Sequence, residues 1–200
     1  MRMYDPIYLT LIREACDKYC EQGAISPDFL CLSKGLTGGY LPLSAVLTTN
    51  NIYDAFYDNY TNQKAFLHSH SYTGNALACR AALATLTIFE TQNILDTNLV
   101  LAAKMAELSK RFIDHPHVSE VRQTGMILAI ELVKNTHSRE PYPWQERRGL
   151  HVYQYALKKG VLLRPLGNVI YFMPPYVITH EELHFMFDIA WQAIASATQN

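Results

Sequence analysis

No apolar run in this sequence approaches the roughly 20 residues that cross a bilayer, and its start, Met1-Arg2-Met3-Tyr4-Asp5-Pro6, has no apolar signal core. Neither a membrane span nor a secretory leader is expected, and the expected compartment is the cytosol. Charge of one sign is equally scarce: 17 basic and 18 acidic residues leave a formal net charge of -1, spread along the chain. That gives no electrostatic footprint for nucleic acid and no polybasic patch for a membrane surface, so a small-molecule partner is expected. Cysteine is sparse. Cys16, Cys20, Cys31 and Cys79 fit no paired zinc spacing, and in a reducing compartment they are expected as buried free thiols that pack as small hydrophobes. Repeats and low-complexity tracts are missing too. What the chain does have is apolar content, 49% of 200 residues, enough for one generous domain or two small ones and too much for disorder.

Periodicity divides the chain. Residues 6–19 carry Ile7, Leu11, Ile12 and Ala15 at helical spacing. After the turn Ser26-Pro27-Asp28, the unbroken run Phe29-Leu30-Cys31-Leu32 is the kind found in strands buried on both faces. A glycine-dense loop, Ser33-Lys34-Gly35-Leu36-Thr37-Gly38-Gly39-Tyr40, leads to a second strand over 44–49. Helices are predicted over 51–60, 75–90 and 99–112, with a His/Ser/Tyr loop over 64–73. Around Asp114-His115-Pro116-His117 the texture changes to shorter pieces: strands over 118–122, 126–133, 161–164 and 169–173, and a helix over 149–159. A last helix opens at Thr179, where Thr179 and Glu182 have capping-box spacing. A domain boundary is placed near residue 110, and the architecture is α/β.

Three places could carry chemistry. Lys34 stands where a buried strand ends, and a lysine whose amine loses its proton in a low-dielectric site forms Schiff bases; the plain alternative is a surface lysine in a glycine-rich turn. The loop His68-Ser69-His70-Ser71-Tyr72-Thr73-Gly74-Asn75 precedes a helix, and unpaired amides with small hydroxyls favour an anion such as phosphate there; the alternative is an ordinary capped loop. His68 and His70 share spacing for one face but lack a third ligand, so no metal is expected. Arg164 leaves an apolar strand just before a turn, and guanidinium groups in such places bind an anion, either a substrate carboxylate or a structural partner. The cluster Tyr171-Phe172-Met173-Pro174-Pro175-Tyr176 walls a pocket or fills the core.

Taken together, the stretch from Pro27 to Tyr40, the stretch from His68 to Cys79, and Leu163-Arg164-Pro165-Leu166-Gly167-Asn168-Val169-Ile170-Tyr171-Phe172-Met173-Pro174-Pro175-Tyr176 resemble the class III, fold type I aminotransferases. The last stretch resembles the biotin-pathway branch of that family. The resemblance implies a partial large domain over 1–110, mainly a parallel sheet with flanking helices, and a small C-terminal α/β domain over 111–200. It implies pyridoxal 5'-phosphate as cofactor, Lys34 as the lysine that holds it covalently and moves the proton, and cofactor contacts from Ser71 and His70. Ser71 would reach the phosphate of a neighbouring subunit, so a homodimer is implied. Arg164, Gly39 and Tyr171 would bind substrate. The implied reaction is ping-pong transfer of the amino group of S-adenosylmethionine to 8-amino-7-oxononanoate, giving 7,8-diaminononanoate. Another class III omega-aminotransferase, or an inactive fragment, are the alternatives.

One departure bears on the chemistry. Family members carry a strand with an Asp-Glu pair after a helix like that over 6–19, and its aspartate supports the cofactor's pyridine nitrogen. Here Tyr19 runs directly into Cys20, so a segment is expected to be missing near 19–20, as is an upstream half with further pocket residues.

Overall fold

The computed structural model describes residues 25–68 and 71–199, in two compact units that divide at Asn93/Ile94. The helix expected over 6–19, and with it Cys16 and Cys20, lies outside the described residues.

In the first unit, β1 (Phe29–Leu32) and β2 (Ala45–Thr48) pair antiparallel, Phe29 opposite Thr48 and Leu32 opposite Ala45. The apolar run does form a strand, but not one buried on both faces: exposed and half-buried side chains alternate along it, and Phe29 is 58% exposed. The reason is the sheet itself, which has two strands among the described residues, and a lone pair of strands covers neither of its faces. Cys31 is therefore an exposed free thiol and Cys79 a half-buried one, in place of the expected buried thiols. Between the strands, Lys34–Thr37 winds one 3-10 turn that Gly38 closes with a φ of 61°. Its inward residue is Thr37, whose hydroxyl donates to the carbonyl of Leu41. Helix α1 (Asn50–Phe56) stops short of the predicted 51–60 span, and aromatic rings follow it, Phe56 and Phe66 with centroids 5.5 Å apart. Helix α2 (Ala76–Thr91) begins at Asn75, whose side-chain oxygen accepts from the amides of Leu77 and Ala78 at 3.0 and 3.2 Å. It packs on the Lys34–Thr37 turn, and its buried residues, Ala78 and Ala82, are one turn apart and small enough to let backbone approach.

The second unit opens with α3 (Ile94–Ser109), which starts before the predicted 99–112 helix. Leu101 and Met105 are buried, four residues apart on one face, and α3 packs on the last helix, α5 (His180–Thr198). Helix α3 thus belongs to the C-terminal unit, although the sequence texture divides nearer 110. The sheet runs β3 (Val118–Thr124), β4 (Ile127–Asn135), β7 (Val169–Phe172), β6 (Arg164–Leu166), with a short β5 (Glu140–Pro141) on β4. Every strand pairing among the described residues is antiparallel, so the parallel strands expected of the large domain are not among them; the α/β class holds. Leu128, Ile130 and Leu132 alternate inward along β4 and are fully buried. They meet a core that includes Val152 and Ala156 of α4 (Arg148–Lys158) and Phe187 of α5, whose ring stacks on Phe172 at 4.9 Å. Each fully buried residue of this kind contributes about 1.5–3 kcal/mol of burial. Helix α5 starts with the predicted capping box: Thr179 Oγ1 accepts from the Glu182 amide at 3.2 Å, and the Glu182 carboxylate accepts from the Thr179 amide at 2.8 Å. At its other end Arg148 donates to the carbonyl of Ala197 at 2.8 Å.

His115 sits in this core only 7% exposed, edge-on to Trp191 with ring centroids 5.1 Å apart. Its Nδ1 accepts from the His117 amide at 3.2 Å, leaving no place there for a second proton. Burial first, and the neighbouring His117 second, hold the His115 imidazole below the ordinary histidine range. Because the folded form binds the proton less well than the unfolded chain, the stability His115 contributes is complete above the ordinary value of about 6.5 and is lost as pH falls below it. Urea midpoints should therefore drop between pH 7 and pH 5.5 in the parent, and drop less in His115→Gln; equal slopes would refute the assignment.

Candidate active site

In the first unit the loops after β1 and before α2 converge on an open cleft of about 1090 Å³, whose walls include Lys34, Gly39, Tyr40, His68, Tyr72, Thr73, Gly74 and Asn75. That volume is at the upper end for small-molecule sites. Lys34 enters it from the first position of the 3-10 turn with a φ of 53°, a left-handed backbone that costs a non-glycine residue about 1 kcal/mol or more. Among the described residues with this strain, Lys34 is the one that lines the cleft. The lysine is exposed, not buried as its place after an apolar strand implies, because β1 has a single neighbouring strand. Its amine has no ion pair or hydrogen bond among the described residues. Gly39 lines the same cleft at a φ of 81°, a left-handed backbone that glycine adopts without steric cost. Ser71 is exposed in the turn immediately ahead of Tyr72. His70 lies outside the described residues.

The residues present fit part of a pyridoxal phosphate site. An uncommitted amine suits the aldehyde end, and the hydroxyl-bearing turn 71–74 suits an anionic end. No carboxylate is among the described residues that line the cleft; the Tyr19-Cys20 junction is outside the described residues. Among the described residues there is also no group of three or more His, Cys, Asp or Glu that could hold a metal ion, and no helix long and apolar enough to cross a membrane.

The second unit holds the other candidates. Arg164 does not end a strand over 161–164 but opens β6, after which Gly167-Asn168 makes a two-residue turn into β7. Gly167, at a φ of 60°, supplies the positive φ that such hairpin turns need. Arg164 faces Tyr171 across the ladder, with its guanidinium 5.7 Å over the tyrosine ring. It is exposed and has no carboxylate partner among the described residues. The structure so brings Lys34 together with Gly39, and Arg164 together with Tyr171, each pair within its own unit.

Residues 15–194 match the sequence profile described as Aminotransferase class-III. The chain belongs to the class III aminotransferases. Among members of this family, the adenosylmethionine-8-amino-7-oxononanoate aminotransferase of Helicobacter pylori is 53% identical over 167 residues, covering 82% of this chain and 36% of that one. The solved structure of the adenosylmethionine-8-amino-7-oxononanoate aminotransferase from Methanocaldococcus jannaschii superposes with a TM-score of 0.85 at 42% identity, over 92% of this chain and 42% of that one. A more distant relative, Gamma aminobutyrate transaminase 2 of Solanum lycopersicum, is 34% identical over 179 residues, covering 90% of this chain and 38% of its own length. The chain thus spans about two fifths of the length of the relatives it matches.

Two groups of residues around these sites carry no mark in the sequence. The Leu41-Pro42-Leu43 part of the cleft rim reads as plain linker. Tyr142 is 4% exposed and ties three elements: its hydroxyl is 2.9 Å from His117 Nδ1, its carbonyl accepts from the Asn168 side chain at 2.8 Å, and Arg148 stacks 4.8 Å over its ring. Burial pushes the Tyr142 phenol up, so it stays protonated.

Proposed function

We propose that this chain forms the lysine-bearing part of a pyridoxal-phosphate-dependent aminotransferase that moves the amino group of S-adenosylmethionine to 8-amino-7-oxononanoate, a step of biotin biosynthesis. The observation that carries this reading is the unpaired amine of Lys34, held at a strained backbone position in a cleft edged by the loop before α2. Supporting it, the relatives that are 40–53% identical to this chain over the aligned residues are named for that reaction, whereas the Gamma aminobutyrate transaminase 2 is 34% identical over its aligned residues. When bound, pyridoxal phosphate supplies the electron sink that lets a carbon–hydrogen bond next to nitrogen ionise. The chain's own residues do the rest: Lys34 holds the cofactor covalently and carries the proton at its Nζ. Ser71 binds the cofactor phosphate of a neighbouring subunit in a cytosolic homodimer, and His70 is a further cofactor contact.

Arg164 receives the carboxylate of 8-amino-7-oxononanoate with Tyr171 beside it, and Gly39 is a further substrate contact. An exposed guanidinium with no carboxylate partner among the described residues is suited to this, since a two-pronged carboxylate can replace its water. Arg164→Ala should raise the KM for 8-amino-7-oxononanoate about ten- to hundredfold, the loss of a charge-assisted hydrogen bond. An acceptor analogue with a neutral amide in place of the carboxylate should be almost unaffected. Steady-state kinetics of the holoenzyme measures both. No turnover with S-adenosylmethionine as donor, together with acceptance of an omega-amino acid, would replace this reading with another class III transaminase.

A further inference from the structure

Strand β6 is poorly equipped to hold an arginine in place. It is three residues long, has β7 as its one strand neighbour among the described residues, packs on α4, and has Pro165 at its centre, which brings no N–H to the ladder. Register at such a strand is set from its ends. One end is the Gly167-Asn168 turn, and there the structure concentrates its fastenings. The Asn168 side-chain nitrogen donates to the carbonyl of Tyr142 at 2.8 Å, and the Asn168 carbonyl accepts from the Leu132 amide at 2.9 Å. Tyr142 is itself immobilised by burial, by its hydroxyl on His117 and by Arg148 over its ring. A turn that needed only to reverse the chain would be satisfied by Gly167; the side-chain amide of Asn168 adds a link to a residue 26 positions earlier.

We propose that Asn168 is a positioning residue for Arg164: its amide, seated on the carbonyl of buried Tyr142, fixes the β6–β7 hairpin in the register at which the Arg164 guanidinium meets a substrate carboxylate. The inference rests on the reading of Arg164 given above and adds a residue to it. Asn168 acts through the hairpin, and the hydrogen bond it makes is uncharged, so its loss should misplace the guanidinium without removing it.

In the holoenzyme, Asn168→Ala and Asn168→Asp, the latter of the same size but with an acceptor facing the carbonyl, should each raise the KM for 8-amino-7-oxononanoate about three- to tenfold, the effect of one neutral hydrogen bond. The kcat should stay within about twofold, and the amide analogue of the acceptor should be used as before, a split that marks lost ground-state binding of the carboxylate. Combined with Arg164→Ala, either change should add nothing, because both act on the same contact. The positioning role is overturned if Arg164→Ala raises the KM while the Asn168 variants do not. It is equally overturned if they lower kcat alike for acid and amide acceptors, or if both fail to fold, since the amide would then be holding the unit together rather than aiming Arg164. If Arg164→Ala itself leaves the KM unchanged, the fault lies in the carboxylate reading, a result distinct from failure at Asn168 alone.

Discussion

Lys34→Ala in the holoenzyme will lower the transamination rate at least about a thousandfold, the scale set by removing a group that serves both as covalent anchor and as proton carrier. Lys34 is the one lysine among the described residues that line the cleft. The backbone sharpens the prediction. Lys34 keeps a φ of 53°, and alanine is no more comfortable there than lysine, so the substitution changes the side chain without relieving the strain. Thermal stability should stay close to that of the parent while activity collapses. Borohydride reduction of the holoenzyme followed by peptide mapping will place the cofactor on Lys34; a label on any other lysine, or an alanine variant working at the parent rate, would dismantle the assignment of the cleft.

Gly149→Ala is expected to have the largest effect on stability. A methyl group built on Gly149, the second residue of α4, would stand 2.2 Å from the carbonyl oxygen of Gly167 and 3.0 Å from Pro165 Cβ. The first neighbour is backbone and cannot rotate away. The helix and the β6–β7 turn would have to part, at a cost of about 1–3 kcal/mol or somewhat more for an overpacked site. Alanine is otherwise the better helix former by roughly 1 kcal/mol, so a naive propensity argument predicts the opposite sign. Chemical denaturation of the parent and the variant decides between them, and a variant as stable as the parent would show that α4 is free to shift. Because the same contact abuts the turn that carries Asn168, the variant should also raise the KM for a carboxylate-bearing acceptor.

Several features were legible from local spacing. The Thr179-x-x-Glu182 pattern forms its two reciprocal bonds within one turn, so three residues of sequence contain the whole interaction. The inward alternation along β4 is local in the same way, whereas the two-residue turn at Gly167-Asn168 was not, since the strand expected to end at Arg164 instead begins there. Lys34 and the loop before α2 were picked out by residue type and by resemblance, and one cleft contains residues of both. Solvent exposure was not legible: a run such as Phe29-Leu30-Cys31-Leu32 announces a strand, but whether it is covered depends on how many strands lie beside it.

The order of residues alone determined the elements whose bonds close within a few positions: the caps and the amphipathic faces. Folding in three dimensions decided the rest. Asn168 finds Tyr142, Arg148 caps α5 through the carbonyl of Ala197, and Gly149 is obliged to be glycine by a carbonyl on another element. Those requirements come from atoms far apart along the chain meeting within a few ångströms, and such meetings impose no period or spacing that a linear pattern can display.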